Sequence, residues 1–284
     1  MPRDPALARA VWRRLEPIHA VTYFAPESAE ALTTAGYRGF WMGYFAARAA
    51  PLGAAGPDVV QALFYNFAAS RVAKALPEAW TIAGPDVALD ARRTGAHAAL
   101  QRTLADVDVA EAAELAASAA HAAPVEGRPL FAANRGLPWP SDPIDVLWHS
   151  ATLLREHRGD GHVALLTALE ISGREANVLQ EAGGNVPRAM IERARDYDAA
   201  EWAAVVQRLS DRRLMADDGA LTADGAALRR ELEDRTDALA LAAYDALDDG
   251  ELTRLIELLT PITRAVVAAG DIPAATPMGP TLQA

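Results

Sequence analysis

The chain has no cysteine, which excludes disulfides and thiolate metal sites and fits a reducing compartment. No apolar run approaches the roughly 20 residues that a bilayer-spanning helix needs. The first residues, MPRDPALARAVWRRLEP, set charges on both sides of a short apolar stretch, unlike the core of a secretory signal. A cytoplasmic protein with no membrane partner is the expectation. Also missing are a glycine-rich phosphate loop, a GxSxG elbow and any Ser-His-Asp set at assignable spacing. Positive charge is in short supply: 27 Lys and Arg against 38 Asp and Glu give a formal net charge of −11. Phosphate contacts supply most of a DNA-binding module's affinity, so DNA stays open as a partner but is disfavoured.

What is present is alanine-rich and globular. A hydrophobic content of 51% and a charged content of 23% exclude a disordered chain, and 284 residues suffice for two domains. Alanine favours helix because it loses no side-chain entropy there. Pro/Gly-rich breaks fall at 53–57 (GAAGP) and 135–143 (RGLPWPSDP), with shorter turns at 82–85 and 217–219. The break at 135–143 reads as an extended linker, dividing the chain into residues 1–140 and 141–274, with 275–284 a loose tail. Three helices are predicted in the second part, over 199–215, 227–247 and 251–270. The last has Leu252, Leu255, Ile256, Leu259, Ile262 and Val266 on one face. Between the first two, a turn on Asp218-Gly219 and a short strand over 220–222 read as a small β-wing.

The order helix, Leu209 to Leu214, wing, Leu221-Thr222-x-x-Gly225, long helix, then Leu252 to Leu259, resembles the MarR family of winged-helix regulators over residues 160–270. The whole chain further resembles an actinobacterial family described only as helix-turn-helix, through PIHAVTYF, RGFWMGYFAARAAPLG and REHRGDGH. The MarR resemblance implies a mainly α, winged helix-turn-helix fold that pairs through its terminal helices. It also implies a small ligand held between those helices and the DNA-reading lobe. Neither resemblance names a cofactor.

The first half echoes the second. A shift of 130 sets Phe67–Val72 over Tyr197–Trp202 and Gly95 over Gly225, a shift of about 138 sets Leu15 over Leu153 and His19 over His157, and residues 105–120 mirror the start of the last helix. One reading is a duplicated, single-chain pseudo-dimer, which supplies internally the self-complementary patch of a symmetric pair. The other is an unrelated helical N-terminal domain before one winged helix. A monomeric pseudo-dimer and a homodimer both stay open.

The candidate reading helix opens on Asp198-Ala-Ala-Glu201-Trp202, where base-facing residues belong, and the wing offers Asp217 and Asp218 where a basic tip is expected. Arg208, Arg212 and Arg213 come late, and Arg71 and Lys74 are the only cations on the equivalent first-half helix. The reading surface is weak.

Chemistry concentrates near Trp148-His149 and in Arg155-Glu-His-Arg-Gly-Asp-Gly-His162, where desolvating so many ionisable groups is expensive unless they pair or meet a ligand. The candidate ligand-binding set is His149, Arg155, His157, Arg158, Asp160 and His162, joined from the first half by His19, Tyr23, Arg38, Trp41, Tyr65 and Asn66. Equally, RGDG reads as a solvated turn with Asp160 capping a helix that starts near His162. His157 and His162 match no metal-site spacing, so no metal is expected, and a packed or exposed role explains His97 and His121. Trp41, Tyr44 and Phe45, with Phe64 and Phe67, read mostly as core, leaving Tyr65 and Asn66 to face elsewhere. The functional expectation is a ligand-binding regulator relative. The alternative is an enzyme of specialised metabolism reusing the cavity, with His157, Glu156 and His162 as acid–base residues.

Overall fold

The computed structural model describes residues 3–276 together with 279 and 280. Fourteen α-helices carry the described chain. The first half runs α1 (Ala6–Phe24), α2 (Pro26–Thr34), α3 (Gly39–Ala49), α4 (Pro57–Phe64), α5 (Ala69–Ile82), α6 (Pro85–Thr103) and α7 (Ala110–Ala122). After the short α8 (Pro129–Arg135) come α9 (Pro143–Ala168), α10 (Gly173–Ala182), α11 (Arg188–Arg195), α12 (Ala199–Asp211), α13 (Ala223–Leu241) and α14 (Asp249–Ala268). The breaks at 53–57, 82–85 and 217–219 fall between helices as the Pro/Gly chemistry requires.

The main core is a bundle of long helices. Val11, Leu15 and Ile18 of α1, Leu147 and Leu153 of α9, and Leu252, Leu255 and Leu259 of α14 are all buried in it. Alanine decides the packing of α7: Ala112, Ala113, Ala116, Ala119 and Ala120 form its buried face, small enough for close approach to α9. The pairing is crossed, with α7 on α9 and α14 on α1.

Two lobes flank the bundle. The first is aromatic, with Phe45, Phe64 and Phe67 packed ring to ring beside Val60, Val72 and Leu76. The second is α10–α12, closed over Val178, Ile191, Trp202, Val205 and Leu209. Two of its three helix starts carry a side-chain cap. Ser172 and Glu175 form a capping box on α10, and the Asp198 carboxylate accepts from the Glu201 amide at 2.7 Å.

The expected wing is reduced to a single antiparallel bridge, Met215 with Leu221, so the strand expected over 220–222 does not form; the first half has no strand among the described residues. The Leu-Thr-x-x-Gly motif closes this hairpin. The Thr222 hydroxyl donates to the Arg213 carbonyl at 2.6 Å and accepts from the Gly225 amide at 3.0 Å, while a Cβ at Gly225 would sit 2.0 Å from the Leu214 carbonyl oxygen.

Four expectations change. Residues 155–162 are neither a turn nor a helix start: they lie inside α9, which runs unbroken through Gly159 and Gly161. Gly161 is there for contact, since a Cβ would meet the Arg128 guanidinium at 2.4 Å. The segment 136–142 has no helix, as an extended linker requires, but it is pinned to the bundle at Trp139, which stacks on His121 at 3.8 Å and meets the His149 ring edge-on at 4.8 Å. The tail beyond 274 is also partly structured: Ala275–Thr276 pairs antiparallel with Gly279–Pro280 and Thr276 is buried, while 277, 278 and 281–284 lie outside the described residues. Finally, the ungapped alignment of Gly95 with Gly225 fails. Gly225 is in the first turn of α13, whereas Gly95 lies in the middle of α6 against the backbone of Ser28.

Candidate ligand-binding cavity

A cavity of about 690 Å³ lies where the bundle meets both lobes, within the range of small-molecule sites. Its wall is rich in arginine: Arg9 and Arg13 from α1, Arg48 from α3, Arg155 and Arg158 from α9, Arg195 from α11 and Arg229 from α13. Glu16, Glu156, Asp160 and Glu233 are the only carboxylates there among the described residues. Seven cations against four anions reverse the balance of the whole chain.

Glu156 is the hub of one side. Arg48 grips its carboxylate with two bonds of 3.0 and 3.1 Å, and Arg155 adds one of 2.9 Å. Burial pushes this carboxyl up, but Arg155 and Arg48 more than offset it and hold it well below the usual carboxylate range. Glu156 is therefore an ionised anchor between the two guanidiniums. On the other side Arg158 reaches Asp237 at 2.9 Å and Glu233 at 3.1 Å, with its guanidinium 4.2 Å over the Trp12 ring.

Asp160 lines the cavity and accepts from the Phe131 amide at 2.9 Å, at the start of α8. Burial raises its carboxyl to about 7, so near neutrality it exchanges a proton. His162 also lines the cavity. The Thr236 hydroxyl donates to the Leu232 carbonyl at 2.7 Å, so it accepts from His162 Nδ1 at 3.0 Å. Burial lowers the His162 imidazole, keeping it neutral.

The other expected residues divide. Tyr65 and Asn66 line this cavity, at a sharp corner where Tyr65 has φ 41° and its hydroxyl donates to the Ile171 carbonyl at 2.7 Å. Tyr23 and Trp41 line a second cavity of about 320 Å³ beside it. His19 lines neither. It bridges α1 and α9 instead, its Nδ1 donating to Thr152 at 2.9 Å and its Nε2 accepting from Tyr23 at 2.9 Å, because the Thr152 hydroxyl is already committed to the Trp148 carbonyl. His149 is buried against Trp139, away from both cavities, and burial holds it down to about 4. His157 is fully buried with both ring nitrogens unpartnered among the described residues, edge-on to Phe131, and burial holds it down to about 3. It lines neither of the two cavities. Arg38 is exposed, paired with Glu78 on the surface, and lines neither of the two cavities. Among the described residues no three His, Asp or Glu side chains converge as a metal site.

Sequence reading missed Arg48 and Arg195. Arg48 sits in FAARAAPLG, a cation alone in an apolar helix, and that isolation was its signal. Arg195 had none, since ERARD reads as a solvated helix end.

A helix-turn-helix family matches residues 8–273. The chain belongs to this family. No curated protein and no solved structure matches it. No helix among its described residues is long and apolar enough to cross a membrane. In this helix-turn-helix protein α11 and α12 meet at Asp196, left-handed at φ 59°, and Arg174 ties the corner by donating to the Arg195 carbonyl at 2.6 Å and the Asp196 carbonyl at 3.1 Å. Trp202, Val205 and Leu209 turn inward from α12, leaving Ala199, Ala200, Ala203, Ala204, Gln207 and Arg208 outside. Glu201 is paired with Arg174 at 2.7 Å, and Arg212 is occupied with the carbonyls of Glu170 and Leu169.

Proposed function

We propose that this helix-turn-helix family member is a MarR-like, ligand-binding relative of transcriptional regulators, built as a single-chain pseudo-dimer with a weakened DNA-reading surface. Its halves are residues 1–140 and 141–274. Support for the duplicate organisation comes from helix bounds: α6 opens at Pro85 and α13 at Ala223, α7 at Ala110 and α14 at Asp249, α5 at Ala69 and α12 at Ala199. The hairpin before α13 is then an insertion that the first half lacks. The crossed packing of α7 on α9 and α14 on α1 is the exchange expected of a pair joined through its terminal helices.

The observation that carries the ligand reading is the arginine-lined cavity between the bundle and α10–α12. A guest there touches both the long helices and the helix-turn-helix lobe, so it biases their relative arrangement. DNA contact falls to a surface with little to offer, since the outward face of α12 presents alanine and a single arginine. Native mass spectrometry of protein purified from its own host tests the first part, with a co-purifying small molecule expected. Electrophoretic retardation of its own promoter tests the second. Weak binding that vanishes at physiological salt is expected; tight, sequence-specific retardation would overturn the weakened surface.

A further inference from the structure

Arg195 is the most exposed contradiction in the electrostatics of the cavity wall. It is only 5% accessible, yet no carboxylate of the described residues lies within ion-pair distance. Its one hydrogen bond is a long 3.3 Å contact from a terminal nitrogen to the neighbouring Ala194 carbonyl, and its Nε has no partner. Asp196, the adjacent acid, turns instead to Arg71 at 2.6 Å. The charges that act on Arg195 include Arg48 and Arg71, both of like sign. Burial lowers its pKa to about 10, which leaves it charged at neutral pH. A buried guanidinium without a counterion is costly, and most of its planar fork of donors stays unused.

That fork stands at a junction. Arg195, Tyr44 and Phe67 line both cavities, and the Arg195 guanidinium lies 4.0 Å over the Phe67 ring. The smaller cavity is apolar, walled by Tyr23, Phe24, Phe40, Trp41 and Met190. Among the described residues its only charged side chains are Arg193 and Arg195. In the larger cavity Arg13 and Arg229 also have no ion pair among the described residues.

We infer that the two cavities form one site for an amphipathic anion, a carboxylate, sulfonate or phosphate head on Arg195 with a flat aromatic or acyl body in the apolar chamber beside it. This rests on the ligand-binding reading above and adds the chemical class of the ligand. The head supplies the counterion that the fold withholds, accepting two parallel N–H bonds in the geometry that guanidinium favours. The body displaces water from the ring-lined chamber, whose volume of about 320 Å³ suits two fused rings or a short acyl chain. Neutral analogues gain only the second contribution.

Fluorescence titration with 8-anilinonaphthalene-1-sulfonate, beside N-phenyl-1-naphthylamine as the same rings without the sulfonate, tests this directly. Wild type should bind both at one saturable site. Arg195→Met should weaken the sulfonate about tenfold or more while leaving the neutral probe unchanged. Arg195→Lys, which keeps the charge but loses the fork, should fall between, and serves if the methionine variant does not fold; thermal melts of each variant establish that. Unchanged sulfonate affinity in Arg195→Met, or equal loss of both probes, overturns the anion inference and leaves the ligand-binding reading standing. Failure of wild type to bind either probe brings down both.

Discussion

The outward face of α12 and the wall of the larger cavity belong to neighbouring parts of one molecule and treat arginine in opposite ways. The face, where a helix-turn-helix protein would meet phosphates, exposes four alanines, Gln207 and Arg208. The wall gathers seven arginines against four carboxylates, with Arg158 and Arg195 buried in it. A net charge of −11 therefore describes neither region. An exposed arginine on a reading face is nearly free to keep, whereas each buried one must be offset by a partner. Placing them inside commits the fold to a costly arrangement, and the cost is accounted for where Glu156 and Asp237 answer Arg48, Arg155 and Arg158, and left open at Arg195.

The largest way to break this contrast is acidification, because four of the six histidines lie in the bundle and its cavity wall with pKa values lowered by burial, and none of the six is on α12. His19, His149, His157 and His162 all have lowered pKa values in the fold, chiefly through burial. The unfolded chain takes their protons first as pH falls below 6.5, so stability present above that value is lost on the way down. Each contributes on the order of 1 kcal/mol per pH unit until its folded pKa is reached, about 4 for His149 and about 3 for His157. Asp160, raised to about 7, acts oppositely: the fold takes its proton first, so its share is gained on the same descent. Four groups outweigh one, and urea denaturation midpoints should fall steadily from pH 7 to pH 5. A flat profile would mean that the interior is wetter than the burial of these rings implies.

Glu156→Ala comes next, since it strands Arg48 and Arg155 without their shared carboxylate; a loss of about 3–5 kcal/mol in equilibrium unfolding is expected. Gly225→Ala should cost about 1–3 kcal/mol by the same measurement, because the new methyl meets the Leu214 backbone oxygen. Gly159→Ala should instead gain about 0.5–1 kcal/mol, its Cβ having 3.6 Å to the nearest atom in a helix interior. If it destabilises, α9 is not continuous there. Smallest of all is Arg208→Ala on the α12 face, expected to shift the melting free energy by less than about 0.5 kcal/mol and to leave retention on DNA unchanged.

Much of the fold was legible because it is written in local chemistry. Pro/Gly breaks separate the helices, the three-and-four spacing of Leu252 to Val266 defines the buried face of α14, and Thr222 with Gly225 marks the hairpin closure. The site was legible only in part. Composition flagged 155–162 as unusual, and Arg155, Glu156, Arg158, Asp160 and His162 do line the cavity. Its conformation was misread because glycine within a helix carries no local mark of why it is there. The reason at Gly161 is Arg128, brought in from the turn before α8. The same holds for Arg195, whose burial depends on Phe67 from the opposite half. Long-range partners set these roles, and no window of neighbours contains them.

The crossed seating of the terminal helices also bears on how the chain is made. The face of α1 that receives α14 is made first, and the whole of α2–α13 is translated before the helix that covers it. That apolar face therefore stays uncovered while α2–α13 are made, and the native arrangement closes only once α14 is available. Such a protein leans on holding chaperones during synthesis far more than one whose halves each finish themselves in turn.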